Sequence, residues 1–150
     1  MGGGVVIALL GVGVMYGLQY YQYRKSPEYQ AQKYFEDLQK RYAEDTYGGD
    51  TPEETLQLFI DALKKGDVEL ASKYFILDKQ AEQKQYLISV KDKDFLDEMI
   101  VDVEKLGNKY PLVRGDNNRF IFETYNSQKE LVLQADVAKA PNGKWKILDL

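Results

Sequence analysis

Hydrophobic and polar positions fall into three regimes along the chain. Residues Met1 to Tyr23, MGGGVVIALLGVGVMYGLQYYQY, contain no Asp, Glu, Lys or Arg. Val5 to Leu10 is continuously apolar, Tyr16, Tyr20, Tyr21 and Tyr23 gather at the far end, and Arg24 and Lys25 follow. As a helix rising ~1.5 Å per residue, this run is about 33 Å long, enough for a hydrocarbon core of roughly 30 Å. Phenol rings settle at the headgroup level, with cations just beyond them. The pattern predicts a single membrane anchor over residues 1–23, with Tyr16, Tyr20, Tyr21, Tyr23, Arg24 and Lys25 at the interface. From Arg24 to Asp45 charged residues dominate. Ala31, Phe35, Leu38 and Tyr42 make a narrow apolar stripe at spacings of four, three and four. Lys33/Asp37, Glu36/Lys40 and Asp37/Arg41 are i,i+4 pairs that favour an exposed helix. The expectation is a charged helical stalk whose stripe packs on the domain that follows. Thr46-Tyr47-Gly48-Gly49-Asp50 reads as a flexible joint. The chain therefore divides into anchor 1–23, stalk and joint 24–50, and folded domain 51–150.

In the domain the period is helical at first and two afterwards. Thr51 caps a helix that begins at Pro52, with Glu53 and Glu54 complementing its dipole. Leu56, Phe59, Ile60 and Leu63 form its buried face, and Gly66 closes it. Asp67 caps the next helix, in which Val68, Ala71, Tyr74 and Phe75 face inward. Two more helices are predicted, Lys79 to Val90 and Asp94 to Leu106. The last is two-sided, with Phe95, Leu96, Met99, Ile100, Val103 and Leu106 opposite Asp94, Glu98 and Asp102. After Gly107 come four short strands. They are Tyr110–Arg114, Arg119–Tyr125, Leu131–Val137 and Trp145–Asp149, joined by Gly115-Asp116-Asn117-Asn118, Asn126-Ser127-Gln128 and Pro141-Asn142-Gly143. Short joins impose antiparallel neighbours. Helices followed by a curled antiparallel sheet of about four strands make an α+β domain.

Composition narrows the chemistry. The chain has 150 residues, 20 Lys+Arg, 24 Asp+Glu, and neither His nor Cys, with a net charge of −4. The missing Cys excludes disulfides, a thiol nucleophile and Cys-ligated zinc. The missing His removes the commonest general base and transition-metal ligand. The acidic balance excludes a nucleic-acid footprint, which needs a basic face. Nothing at the start matches a cleaved signal peptide, because no basic leader or small-residue cleavage site is present. Gly11-Val12-Gly13 continues to Gly17 as GxGxxxG, which is not the dinucleotide fingerprint. Val6 stands where a myristoylation motif needs Ser or Thr. Gly13-x-x-x-Gly17 and Gly4-x-x-x-Ala8 are small-xxx-small pairs that allow two helices to approach in lipid, a route to a homodimer.

Thr51-Pro52-Glu53-Glu54-Thr55, Phe59, Ala62, Gly66-Asp67, Ala71 and Tyr74-Phe75 together resemble the opening helix pair of nuclear-transport-factor-2-like domains (the cystatin-like α+β cones). The small bacterial membrane-anchored members of unknown function are the nearest in pattern. Asn142-Gly143-Lys144-Trp145-Lys146-Ile147 resembles their closing hairpin and strand. The likeness spans 51–77 and 119–150, and its motifs are scaffold rather than chemistry. It implies a curved sheet wrapped around helices and a cavity, with the segment from Lys79 to Leu106 as an insert that fills or lids that cavity. The Asp, Tyr and His motifs of the family's enzymes are not matched here.

Phe59, Tyr74, Phe75, Phe120, Phe122 and Trp145 are the residues that would line an apolar pocket, or else fill a solid core. Asp61, Asp136 and Asp149 are the carboxylates that an acid–base enzyme would use, if burial raised a pKa. Asp94, Glu98 and Asp102 run along a helix and read as a solvated face, because calcium sites need donors converging from a loop. No motif calls for a cofactor. The reading is a membrane-tethered, non-catalytic binding module for a protein partner or a small apolar ligand. A tethered acid–base enzyme and a structural subunit of a membrane assembly are the alternatives. Arg24 and Lys25 after the anchor favour a cytoplasmic domain by the positive-inside bias. Met1-Gly2-Gly3-Gly4, read as an anchor without its basic leader, and the exported relatives implied by the resemblance favour an extracytoplasmic one. The expectation is extracytoplasmic.

Overall fold

The computed structural model describes the backbone of residues 3–150 and the side chains from residue 13 onward. Six helices precede four strands. They are α1 (Gly3–Arg24), α2 (Pro27–Glu44), α3 (Pro52–Lys64), α4 (Val68–Lys73), α5 (Gln80–Asp92), α6 (Leu96–Glu104), β1 (Asn108–Pro111), β2 (Arg119–Tyr125), β3 (Leu131–Lys139) and β4 (Trp145–Asp149). The chain forms two compact units, one ending at Lys40 and the other running from Arg41 to Leu150.

In the first unit, α1 ends where Ser26 caps α2: Tyr29 N–H donates to Ser26 Oγ at 3.2 Å, and Pro27 takes the first helical position. Lys25 Nζ lies 4.4 Å from the centre of the Tyr21 ring, and the Arg24 guanidinium 5.9 Å from that of Tyr20. Tyr16, Tyr20, Tyr21 and Tyr23 are all exposed. Among the described residues no helix is long and apolar enough to cross a membrane. The span expected over residues 1–23 thus finds no support there, and its most apolar stretch, Val5 to Leu10, lies outside the described side chains. Within this unit Phe35 of the stalk stripe is 59% exposed; Tyr42, the stripe's buried member, belongs to the second unit. The stripe is one residue wide, so burying it would desolvate Lys33, Glu36 and Asp37 as well.

In the second unit, α3 starts and stops on local signals. Glu54 N–H donates to Thr51 Oγ1 at 3.1 Å, and Asp50 N–H to Glu54 Oε2 at 2.6 Å. Gly66, at φ +66°, ends the helix with bonds from its own N–H to Leu63 O and from Asp67 N–H to Ala62 O, at 2.8 and 3.0 Å. This is the Schellman pattern, in which a left-handed residue lets two amides satisfy otherwise unpaired carbonyls. Asp67 then caps α4 by accepting from Leu70 N–H at 2.9 Å.

The sheet order is β1-β2-β3-β4, every pair antiparallel. Phe120 opposes Val137, Phe122 opposes Ala135, and Val137 opposes Ile147, so one face carries the apolar side chains. That face packs on Leu56, Phe59, Ile60 and Leu63 of α3. The run from Tyr110 to Arg114 becomes strand only as far as Pro111, which has no N–H to extend the ladder. Leu87 of α5 and Ile100 and Val103 of α6 join the same core, so the helical insert fills interior space. The outer edge of β4 is covered. Ile147 N–H donates to Tyr74 O at 2.9 Å, Ile76 N–H to Ile147 O at 3.0 Å, and Trp145 N–H to Gly49 O at 3.0 Å.

The expected joint is a packed strap. Gly49 is buried, and its N–H donates to Thr55 Oγ1 at 2.9 Å, while Thr55 Oγ1 donates to Trp145 O at 3.1 Å. A Cβ on Gly49 would stand 2.7 Å from Thr55 N, and one on Gly48 (φ +121°) would collide with Trp145 O. Here glycine serves close approach rather than flexibility. Below the strap lies a buried ion pair. Lys146 Nζ sits 2.7 Å from Asp45 Oδ2, with side chains 0% and 5% exposed. The ammonium also donates to Lys73 O at 2.9 Å, and Asp45 Oδ1 accepts from Tyr47 N–H at 2.9 Å. Asn142 Nδ2 secures the end of α2 by donating to Tyr42 O and Asp45 O, both at 2.8 Å.

Candidate functional site

Five of the six aromatic residues expected around a pocket are buried in the core, and Phe120 is half-buried against it. Phe59 and Phe75 are fully buried and meet edge to face at 5.5 Å, and Phe120 packs on Trp145 at 5.7 Å. Tyr74 is buried too, and desolvation raises its pKa. None of the six lines the main cleft; Phe122 borders a smaller groove of about 150 Å³.

This cleft lies where α5 and α6 meet the first residues of β3, and has a volume of about 420 Å³. That is within the range that holds a small ligand or a few partner side chains. Val90, Met99, Val103 and Leu133 supply its apolar surface, and Tyr86 and Phe95 flank it, 54% and 52% exposed. The turn from α5 to α6 sets the opening. Asp94 N–H donates to Lys91 O at 3.1 Å and Phe95 N–H to Val90 O at 3.0 Å, with Asp94 at φ +60°. This is the motif that ends α3, but with an aspartate where α3 has Gly66. Asp is one of the few non-glycine residues that tolerate the left-handed region, at some cost.

Asp94 and Glu98 are exposed and Asp102 is half-buried, as expected of a solvated face, and Glu98 and Asp102 also border the cleft beside Met99 and Val103. Among the described residues no group of three or more acids converges to hold a metal ion.

The candidate acid–base carboxylates lie elsewhere. Asp136 is clamped by Arg119, whose Nε donates to Oδ1 at 2.9 Å and whose Nη2 donates to Oδ2. Asp149 is exposed and sits 3.4 Å from Lys79, and exposed Asp61 accepts from Gln57 Nε2 at 2.9 Å. Asp50, Glu69 and Glu123 are held below the usual carboxylate range by donors, respectively Lys144, Lys84 and Tyr110. That direction is opposite to what a general acid at neutral pH requires. Glu123 accepts from Tyr110 Oη and Tyr125 Oη, each at 2.5 Å, and this pushes the Tyr110 phenol up to about 12. The cleft can therefore bind apolar groups beside an acidic wall.

Reasoning from sequence missed the cleft and the Asp45–Lys146 pair. Lys146, a charged residue between Trp145 and Ile147 on the final strand, was the signal available for the pair. Compared with known protein families, curated proteins and solved structures, the chain finds no match.

Proposed function

We propose that this chain is a membrane-tethered, non-catalytic interaction module of the nuclear-transport-factor-2-like kind. The cleft between α5 and α6 is its binding site, for a protein partner or a small apolar ligand. The observation that carries this reading is the open apolar recess of about 420 Å³, flanked by two half-exposed aromatic side chains. Exposed aromatics around an apolar depression are the composition of contact surfaces. The capped helix pair α3–α4 and the sheet packed on one face by helices support the family assignment. The charge-free start, the four tyrosines and the two cations stacked on Tyr20 and Tyr21 support the tether. The domain is assigned to the extracytoplasmic side, on the resemblance to exported relatives.

Three measurements test this. Carbonate washing of membranes from expressing cells should leave the protein in the pellet; quantitative release refutes the tether. A reporter fused after Leu150 should show alkaline phosphatase activity, whereas fluorescence from a cytosol-only reporter reverses the orientation. A neutral solvatochromic dye should brighten with residues 41–150 and lose that signal in Ser89→Trp, which fills the cleft. An unchanged signal in that variant removes the cleft as the site.

A further inference from the structure

The nine residues of α6 hold four acids, Asp97, Glu98, Asp102 and Glu104, and no base. Glu98 and Asp102 border the cleft, and with Asp97 and Val101 they surround a shallower depression on the same helix. The surrounding cations mostly serve other partners. Lys84 pairs with Glu69, Lys91 donates to Gly66 O at 2.8 Å, and Lys64 lies 2.5 Å from Glu104. Lys105 reaches Asp102 at 3.4 Å across three positions of exposed chain, a weak pair that a better cation can displace. Lys93 on the rim offsets one of the cleft's two acids, Glu98 and Asp102.

An occupant must offer apolar side chains to Met99, Val103 and Leu133 and positive charge to Glu98 and Asp102. An anionic lipid or fatty acid would bring like charge against that wall. Glu98 and Asp102 stand one helical turn apart, about 6 Å along the axis. A helix lying along α6 repeats its own side chains at the same spacing, with apolar residues at the intervening three- and four-residue steps.

From this match we infer that the cleft docks a basic amphipathic helix of a partner protein. Its apolar stripe seats on Met99 and Val103, and Lys or Arg residues four apart face Glu98 and Asp102. The inference rests on the reading of this cleft as the interaction site. Complementary charge of this sort mainly sets partner choice and association rate, and the apolar contact supplies the hold.

The test uses the full chain in nanodiscs of zwitterionic lipid and three amphipathic model helices of equal length, Leu/Lys, Leu/Ser and Leu/Glu. Affinity is read by anisotropy of the labelled peptide and location by hydrogen exchange. The Leu/Lys peptide should slow exchange in residues 86–103 and bind roughly tenfold or more tightly than Leu/Ser, with Leu/Glu weakest. Glu98→Gln with Asp102→Asn, isosteric changes at the wall, should remove that advantage. Glu28→Gln with Glu36→Gln changes net charge equally on the stalk and should leave it intact. Equal protection by Leu/Ser and Leu/Lys overturns the basic partner but leaves the cleft as the site. Leu/Lys binding unaffected at the wall, or without protection of 86–103, also overturns the inference. Protection by none of the three overturns the inference and the cleft together.

Discussion

Asp45→Asn isolates the charge of the buried ion pair. The amide is isosteric, and its Oδ1 can still accept the Tyr47 N–H that lies 2.9 Å from Asp45 Oδ1. What is lost is the compensation for Lys146, whose ammonium is wholly buried and keeps Lys73 O as its remaining acceptor, at 2.9 Å. Asp45 Oδ2 lies 2.7 Å from Lys146 Nζ, and hydrogen bonding and charge attraction both link the two groups. Breaking a buried pair by removing one partner costs about 3–5 kcal/mol. The pH dependence supplies a second check. Burial already lowers the Lys146 pKa below 10.5, against the opposing pull of Asp45. Between the depressed native value and the unfolded value of 10.5, the unfolded chain binds more protons, so stability from this group rises with pH. Without Asp45 the native value falls further and that window widens downward. The deficit of Asp45→Asn should therefore be greatest near pH 6–7 and shrink towards pH 10, as Lys146 sheds its proton. Asp45→Asn with Lys146→Met replaces the pair by neutral groups. Because such replacements are often neutral, the double variant should cost well under the sum of the single changes. The assay is urea unfolding of residues 41–150 followed by Trp145, 5% exposed and hence reporting on the core. A pH-independent loss below about 1 kcal/mol for Asp45→Asn would show that the pair is solvated and refute the argument.

The same contacts set where the domain begins: residues 41–150 should unfold cooperatively, whereas a chain starting at Thr51, lacking Tyr42, Asp45 and the glycine strap, should show a markedly lower midpoint by circular dichroism; equal midpoints would refute this. Asp94→Gly removes a left-handed aspartate from the α5–α6 turn and should raise stability by about 0.5–1 kcal/mol, measured by urea unfolding. Tyr110 should ionise last among the exposed tyrosines, near the value of about 12 set by its bond to Glu123. Because that value is raised, the bond's contribution is fully present below pH 10 and is lost as pH climbs through the native value. Ultraviolet titration of Glu123→Gln should show two tyrosines, Tyr110 and Tyr125, shifting back towards 10, and an unchanged curve would exclude the bonds.

The helices, strands and turns of this domain were legible because their determinants are local. Thr51 and Asp67 cap because each hydroxyl or carboxylate reaches an amide three residues on, and Gly66 stops α3 because its own φ is positive. Arg119–Tyr125 and Trp145–Asp149 alternate strongly enough to mark strand ends without knowledge of their neighbours. The α+β class follows from the order of those elements. The joint was misread for the opposite reason. Gly48 and Gly49 look mobile in isolation, and only the carbonyl of Trp145 and the hydroxyl of Thr55, far along the chain or around a turn, show that they are compressed.

The candidate site belongs to this second class. Periodicity could assign Glu98 and Asp102 to the polar side of α6, but could not say what stood beside that side. Packing decided that α5 and Leu133 would stand beside it, so that a face still open to solvent also borders a cleft. It also decided that Lys146, polar on its strand, would be enclosed with Asp45 rather than left in water. The physical reason is range. Capping, turn geometry and side-chain period act within about one helical turn or two strand residues and are written in adjacent letters. Burial and charge pairing depend on which surfaces meet after the chain has folded, and distant segments settle that together.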